Sequence, residues 1–305
     1  MINYALSQTV KLRVATINFL NPAPLMWDFE HPPRMRDLAS RYSLHPTTPS
    51  ECAAQMAAGR ADLGLIPVAA YATIPHLAIV PGCAIASLDR VRSILLVVKR
   101  HGDDGADGDA EQCLTAVRTV AADKSSRSSL AYAQILFRKF LGSDPGFFQH
   151  PPDLEQMLRA ADAALLIGDP ALLALEAREE VEARAGEQYL WLDLAEEWRA
   201  RTGLPWVAAF WAVRADALAR NTVTPAQLID DVQHSRDQGL AHIEDLVSEW
   251  TPRISVPSKV IRHYLTRNIH YTLDRQCIDA LGLFYHYAAE CDALPAAPRL
   301  TFLDP

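Results

Sequence analysis

Apolar runs and helical patterns alternate along this chain, and the alternation predicts strands followed by helices. Residues 12–20 are rich in Val, Ile and Phe and predict a buried strand, which Pro22 and Pro24 prevent from continuing. Thr48, with Glu51 three residues later, predicts a capped helix start. Strands that alternate with helices in this way are typical of an α/β fold with mainly parallel sheets.

One short arrangement of elements occurs twice. A helical pattern runs into an Ala-Asp pair, an apolar strand and a helix breaker, first at Ala61-Asp62 and again at Ala161-Asp162. Because 305 residues exceed one ordinary core, the chain is expected to form two lobes built on the same plan.

Two apolar runs, residues 93–100 and 206–213, are expected to link these lobes. The first lobe then comprises residues 1–97 plus 206–305, with the C-terminal helices packed on it. The second lobe comprises residues 98–205.

Small or polar residues follow four of the predicted strands. Asn21, Pro67, Asp123 and Gly168 each come after an apolar run. Ligands of α/β sheets bind beyond the carboxyl ends of the strands, so these loops are expected to share one cleft. Asp169, which follows Gly168, is expected either to cap the next helix or to contact the ligand.

Hydroxyl side chains are crowded at one of these helix starts. Four serines and Arg127 lie within residues 125–129, directly before a helical pattern. Capping explains one serine but not four. A helix start leaves backbone N–H groups unpaired and carries partial positive charge, so this segment predicts a site for an anion.

The charge balance excludes several classes of partner. The chain has 29 basic and 37 acidic residues, a formal net charge of −8 and no basic run, so nucleic acid and anionic membranes are not expected partners. No apolar stretch approaches the ~20 residues of a membrane span. The N-terminal segment lacks the apolar core of a signal peptide, which predicts a cytoplasmic protein.

The cysteines and the absent motifs predict a protein without metal or cofactor. Five scattered cysteines, an odd number with no Cys-x-x-Cys pair, indicate free thiols rather than disulfides or a zinc site. The sequence also lacks the glycine-rich phosphate loops, the His-Glu-x-x-His motif and the Gly-x-Ser-x-Gly motif.

Six motifs occur in order along most of the chain: "INFLNPAPL", "GRADLGLIPVAAYA", "VRSILL", "DKSSRSS", "DAALLIGDPAL" and "TGLPWVAAFWAVR". Together they resemble the chorismate dehydratase family of the futalosine route to menaquinone. The resemblance implies a two-lobed α/β fold like that of a type II periplasmic binding protein, with a cleft between the lobes. It also implies conversion of chorismate, a small dianion, to 3-[(1-carboxyvinyl)oxy]benzoate and water without a cofactor.

The resemblance carries site residues with it. The family's Phe-Leu-Asn corresponds to residues 19–21, its Val-x-Ser to residues 91–93, and its Ser-Arg-Thr-Ser to residues 126–129, where Ser128 replaces threonine. The chain departs from the family pattern at Asp89-Arg90, where the family has Gly-Pro, and at Ala208, where it has Phe.

We therefore predict that Asn21 and Ser93 are catalytic and donate to the departing hydroxyl or fix a substrate carboxylate. The Ser128-Ser129 turn is expected to hold a carboxylate through backbone N–H and hydroxyl groups. No His, Glu or Lys in the matched loops is an obvious base, so a substrate carboxylate is expected to take the ring proton. The expected substrate-binding residues are Pro67, Ser126, Arg127, Ser128, Ser129, Gly168 and Asp169.

Two alternatives stay open at this point. A sister enzyme of the same pathway makes 1,4-dihydroxy-6-naphthoate on a related fold, although "INFLNPAPL" favours the dehydratase. The other alternative is a non-catalytic cytoplasmic protein that binds a small anion. The sequence makes no prediction about oligomeric state.

Overall fold

Two mixed sheets form the framework of the protein. A computed structural model describes residues 11–100 and 110–305. The first sheet contains β1 (Leu12–Ile17), β2 (Tyr42–Thr47), β3 (Leu63–Pro67), β4 (Leu77–Ser87) and β10 (Trp206–Arg214), in the order β2-β1-β3-β10-β4. The second contains β5 (Ile94–Lys99), β6 (Thr119–Asp123), β7 (Gly146–His150), β8 (Ala163–Ile167) and β9 (Tyr189–Asp193), in the order β7-β6-β8-β5-β9.

In each sheet four strands run in one direction and the fifth runs opposite. The reversed strands are β10, which is antiparallel to β3 and β4, and β5, which is antiparallel to β8 and β9. The other neighbouring strands pair in parallel. The expectation of mainly parallel sheets is therefore wrong for the two strands that link the lobes. Each linking strand enters from the other lobe and so begins at the edge where its neighbours end.

The strand pairing also shifts one of the two lobe boundaries. The boundary between residues 97 and 98 falls inside β5, which pairs with the second sheet from Ile94 onward. The crossing therefore lies in residues 88–93, between β4 and β5. The other boundary, between residues 205 and 206, coincides with the first residue of β10.

Helices cover both sheets. A 3-10 turn (Ala23–Met26) precedes α1, and π-helical turns follow α6 (Leu136–Phe140) and α14 (Tyr264–Asn268). Within the described residues the α-helices are α1 (Trp27–Glu30), α2 (Met35–Arg41), α3 (Pro49–Ala57), α4 (Val68–Tyr71), α5 (Ala110–Ala116), α6 (Ser128–Ile135), α7 (Leu154–Ala160), α8 (Gly168–Glu176), α9 (Arg178–Ala185), α10 (Leu194–Thr202), α11 (Ala215–Leu218), α12 (Pro225–Ala241), α13 (Ile243–Trp250), α14 (Ser258–His263) and α15 (Arg275–Glu290).

The two Ala-Asp pairs have the same structural role. The Asp62 carboxylate accepts a hydrogen bond of 3.0 Å from the backbone N–H of Arg13 at the start of β1. The Asp162 carboxylate accepts bonds of 3.0 and 2.9 Å from the backbone N–H groups of Arg118 and Thr119 at the start of β6. Each aspartate thus ties the turn before one strand to the beginning of its neighbour, and the expected common plan of the lobes is visible in this detail.

The C-terminal helices pack mainly on the first lobe. The helix α12 lies against the 3-10 turn, α1 and β4, whereas α15 contacts β10 and also α6 of the second lobe. Among the residues described, no helix combines the length and apolar character needed to cross a membrane. Residues 1–10, on which the expectation about export rests, lie outside the described part of the chain.

Candidate functional site

A pocket lies between the two sheets, where β1, β3 and β8 end and β5 and β10 begin. The space open to the centre of a water molecule is about 60 Å3, and the empty space including the open mouth is about 480 Å3. Most of the lining is apolar, with a small number of polar groups, as in small-molecule sites generally.

Six of the nine predicted site residues line this pocket. Those six are Asn21, Pro67, Arg127, Ser128, Ser129 and Gly168. The other three, Ser93, Ser126 and Asp169, lie behind the wall, and each is adjacent in sequence to a residue that lines it. Loops from both lobes therefore meet at one pocket, as the strand-end argument predicts.

The start of α6 forms one side of the pocket and has no side-chain cap. Asp123 shapes the preceding turn, since its Oδ1 accepts bonds of 2.9 and 2.6 Å from the backbone N–H and hydroxyl of Ser125. The Arg127 side chain is exposed at the pocket and makes no ion pair or hydrogen bond within the described residues. The first-turn N–H groups of α6 and this unpaired cation thus give this side positive potential.

The four serines of this turn differ in what they contact. Ser128 Oγ donates to the Ala208 carbonyl at 3.2 Å and accepts from the Ala69 backbone N–H at 3.2 Å. Its hydroxyl therefore binds the first lobe in this structure, and its expected donation to a substrate stays a prediction. Ser129 lines the pocket with no protein partner for its hydroxyl among the described residues, whereas Ser126 Oγ is buried and unpaired.

A second contact reinforces this attachment of α6 to the first lobe. Tyr132, one helical turn after Ser128, donates from its hydroxyl to the Val207 carbonyl at 3.2 Å. The register of β10 against β4 shifts between Val207 and Ala209, which is where these two side chains bind the strand. The helix α6 is therefore fixed to both lobes.

The helix start on the opposite side of the pocket is already neutralised. Pro49 lines the pocket at the first position of α3, and Thr48 with Glu51 forms the predicted capping box. Hydrogen bonds from Thr48 lower the pKa of Glu51 below its ordinary value, so this helix start carries its own anion. An anionic ligand is attracted to α6 rather than to α3.

Asn21 is placed by contacts on the first lobe. Its Oδ1 is buried and has no hydrogen-bond partner in the described chain. The 3-10 turn that follows is bound to α12, because Ser235 Oγ donates to the Leu25 carbonyl at 2.9 Å. Gly239 permits this close approach, since a Cβ there would lie 2.1 Å from the Pro24 carbonyl oxygen. An unpaired amide oxygen on a firmly held segment of the pocket wall can accept a hydrogen bond from a ligand.

Ser93 is held from the C-terminal helices. The Tyr264 hydroxyl donates to Ser93 Oγ at 2.7 Å, and the Ser93 carbonyl accepts from the Gly168 N–H at 2.8 Å. Tyr264 follows α14 and carries no motif signal, so sequence reasoning missed it. The departure from the family pattern beside Ser93 is accommodated at the surface, where Arg90 pairs with Glu196 in a bidentate ion pair.

Gly168 and Asp169 bring the second lobe against the segment before Asn21. Gly168 has φ +63°, and a Cβ there would lie 2.6 Å from Cε2 of the Phe19 ring. Asp169 Oδ1 accepts from the Leu20 backbone N–H at 3.1 Å and does not cap α8. Burial raises the pKa of Asp169 to about 6, an effect that the bond from Leu20 partly offsets.

Isoleucines form much of the apolar wall and were not predicted. Ile17, Ile85, Ile94 and Ile167 line the pocket from four different strands. In the sequence they belong to continuous apolar runs, where a residue at a pocket looks the same as one in a core. Ile17 and Ile167 are the last residues of β1 and β8, but the strand predicted over residues 12–20 continued beyond Ile17, so only Ile167 had a strand end as its signal.

One group of side chains within the described residues has metal-ligand chemistry. His270, Asp274 and Cys277 place their ligand atoms within 4.8 Å of one another. Asp274 already caps α15 through the Cys277 N–H at 2.9 Å and binds His270 Nε2 at 2.9 Å. Burial raises the pKa of the Cys277 thiol to about 12, which disfavours the thiolate that a metal requires.

Two sheets of matching strand order with a pocket between them define a protein of the periplasmic-binding-protein fold. The aliphatic sulphonate binding protein SsuA of Escherichia coli superposes with a TM-score of 0.61 and 14% identity, covering 97% of this chain and 94% of that one. A Candida albicans gene product described as having the generic periplasmic binding protein fold gives a TM-score of 0.61 and 12% identity, covering 97% of this chain and 98% of that one. The predicted fold class is confirmed.

The chain belongs to the menaquinone biosynthesis family, whose model matches residues 12–290. A chorismate dehydratase of Thermus thermophilus is 31% identical to it over 248 residues, which are 78% of this chain and 82% of that protein. The family relationship inferred from the six motifs is confirmed.

Proposed function

We propose that this chain is a chorismate dehydratase, a hydro-lyase that converts chorismate to 3-[(1-carboxyvinyl)oxy]benzoate and water in menaquinone biosynthesis. The observation that carries the proposal is the uncapped start of α6 with the unpaired Arg127, opening on a largely apolar pocket. An anion with a hydrocarbon ring matches such a site. The Thermus relative supports chorismate as that anion.

Binding follows from the charge distribution across the pocket. One carboxylate of the dianion accepts from the first-turn N–H groups of α6 and the Ser129 hydroxyl, and Arg127 neutralises its charge. The ring packs against the isoleucine wall. The substrate enters through the open mouth of the pocket.

The reaction removes a hydrogen from the ring carbon that bears the ether and a hydroxyl from the adjacent carbon. A substrate carboxylate accepts the proton, the C–H electron pair forms the new ring double bond, and the C–O bond breaks. The departing hydroxide takes the proton and leaves as water. Because the product ring is aromatic, the equilibrium is favourable and the enzyme lowers only the barrier.

The protein's contribution is orientation and fixed dipoles. The Asn21 amide donates to the departing oxygen, and Ser93, held by Tyr264, supports the opposite side of the pocket. We propose a cytoplasmic location, which agrees with five free cysteines, four of them buried.

The test is to mix the purified chain with chorismate in the presence of a metal chelator and to follow products by mass and absorbance. Loss of one water with a new aromatic absorbance is expected, and heat-denatured protein serves as the control for spontaneous rearrangement. Binding without conversion would instead indicate a small-anion-binding protein. Formation of 1,4-dihydroxy-6-naphthoate from the sister enzyme's substrate, with chorismate unchanged, would indicate the sister activity.

A further inference from the structure

Asp169 makes a contact between the two lobes at the edge of the pocket. Its Oδ1 accepts from the Leu20 N–H at 3.1 Å, and the preceding Gly168 lies against the Phe19 ring. Leu20 directly precedes Asn21. The second lobe therefore holds the Phe19–Leu20 peptide unit, directly before the residue that carries the predicted catalytic amide.

Nothing in the second lobe itself requires a carboxylate at this position. The helix α8 begins at Gly168 without a side-chain cap, so the Asp169 carboxylate does not serve the first N–H groups of its own helix. Within the described chain the bond to Leu20 is the only hydrogen bond of this carboxylate, and no cation pairs with it. A partly buried carboxylate without a counter-ion weakens the fold, so its presence points to a role other than stability.

The segment around Asn21 is held by both lobes. Within the first lobe the Asn18 N–H donates to the Thr47 carbonyl at 3.2 Å, and the Ala23 N–H donates to the Leu20 carbonyl at 3.1 Å. Beyond Asn21, the first lobe binds the chain through Ser235, which accepts from the Asp28 N–H at 3.0 Å. Before Asn21, the bond from Leu20 to Asp169 is the contact that reaches across the pocket. Removal of that bond releases Leu20 from the second lobe and leaves the contacts of the segment with the first lobe in place.

We propose that Asp169 is a positioning residue, whose hydrogen bond to the Leu20 N–H fixes the Phe19–Leu20 peptide and thereby directs the Asn21 amide toward the bound substrate. The inference rests on the proposed function for the identity of that substrate. In this role Asp169 acts through its acceptor oxygen and does not contact the substrate. This distinguishes it from a residue that binds the substrate directly.

Three variants test the role. Asp169→Ala removes the acceptor, and Asp169→Asn keeps an acceptor oxygen at the same place. Asp153→Ala is the matched control, because Asp153 makes the same kind of bond, 3.0 Å from the Gln156 N–H, at the exposed start of α7 in the same lobe and outside the pocket.

We expect Asp169→Ala to lower kcat for chorismate by about 10- to 100-fold, since a misplacement of about 1 Å can cost ~10²-fold. KM should change less than kcat. Asp169→Asn should restore most of kcat, and Asp153→Ala should match the unmodified protein. Equal losses in the Asn and Ala variants, or a loss confined to KM, would overturn the positioning role in favour of direct substrate binding.

A structural measurement separates this inference from the proposed function. Crystal structures of the unmodified chain, Asp169→Ala and Asp169→Asn report the position of Asn21 whether or not chorismate is turned over. Displacement of residues 19–21 in the Ala variant alone supports the positioning role. An unmoved Asn21 in the Ala variant refutes it, even if the unmodified chain dehydrates chorismate.

Discussion

The Tyr264 hydroxyl donates a hydrogen bond of 2.7 Å to Ser93 Oγ, and both residues are 1% exposed. The two are 171 residues apart in sequence. Through the Ser93 carbonyl, which accepts from the Gly168 N–H at 2.8 Å, the contact joins the C-terminal helices to the first crossing and to the start of α8. The position of Ser93 thus depends on a part of the chain that no site motif includes.

Tyr264→Phe is expected to destabilise the fold by about 1 kcal/mol, because a buried hydroxyl bond is lost. It should also lower kcat if Ser93 acts as proposed. Tyr71→Phe is the control, since the Tyr71 hydroxyl bonds the Arg299 carbonyl at 3.3 Å and the Thr301 N–H at 3.0 Å. Thermal unfolding and steady-state kinetics measure both effects, and equal kcat values in the two variants would contradict a role for Ser93.

Asn21→Asp places a negative charge beside a dianion and is expected to lower kcat/KM by about tenfold or more, equivalent to at least about 1.4 kcal/mol. Asn18→Asp makes the same change three residues earlier in the same loop, where the side chain is exposed and does not line the pocket. Steady-state assays on both variants separate the local effect from the change in net charge. Undiminished turnover in Asn21→Asp would exclude Asn21 from the mechanism.

Arg127→Gln removes the unpaired cation at the start of α6 and is expected to raise KM by about tenfold at low salt. Because the side chain is exposed, the difference from the unmodified chain should shrink as ionic strength rises. Arg159→Gln, which removes an exposed charge elsewhere in the same lobe, is the control. If Arg127→Gln leaves KM unchanged at every salt concentration, Arg127 is not the counter-ion of the bound anion.

Gly168→Ala is expected to destabilise the protein by two separable effects. The backbone at φ +63° costs an alanine about 1 kcal/mol, and the new Cβ would meet Phe19 at 2.6 Å. Gly186→Ala has nearly the same backbone, φ +67°, with no atom within 4 Å of the new Cβ, and so has only the first cost. The difference between the two variants in free energy of unfolding measures the cost of the Phe19 contact. Equal losses of stability in the two variants would show that the Phe19 ring moves aside at no cost.

Asp169→Asn is expected to stabilise the protein in a pH-dependent way. Burial raises the pKa of Asp169 from 3.8 to about 6, so the folded state binds this proton more tightly than the unfolded chain does. Asp169 therefore costs no stability below about pH 3, where it is protonated in both states. Its cost grows between about pH 4 and pH 6 and is constant above about pH 7. Across that window the Asn variant should gain up to about 3 kcal/mol, as urea titrations at pH 4.5 and 7.5 can measure. A constant difference between the two pH values would contradict the raised pKa.

The local elements of the fold could be predicted from the sequence because their signals are local. The capping box at Thr48, the strand after Asp62 and the strand after Asp162 were all visible as short patterns. The directions of β5 and β10 could not be predicted, because an apolar run has the same composition whichever way it enters a sheet.

The site divides in the same way. Asn21, Pro67 and Gly168 were found because strand ends and motifs mark them. The commitment of the Ser128 hydroxyl to Ala208, 80 residues away, is a tertiary contact that no local pattern contains. The hydrogen bond from Tyr264 to Ser93 is also a tertiary contact that no local pattern contains.

The interior position of β10 has a consequence for how the molecule assembles. All five strands of the second sheet lie within residues 94–193, whereas the first sheet lacks the strand between β3 and β4 until residues 206–214 exist. As the polypeptide emerges from a ribosome, the middle of the chain can complete its sheet while the earlier part still waits for its missing strand. The amino-terminal lobe is thus the last to close, and during translation its open edge at β3 is the surface that a chaperone would have to shield.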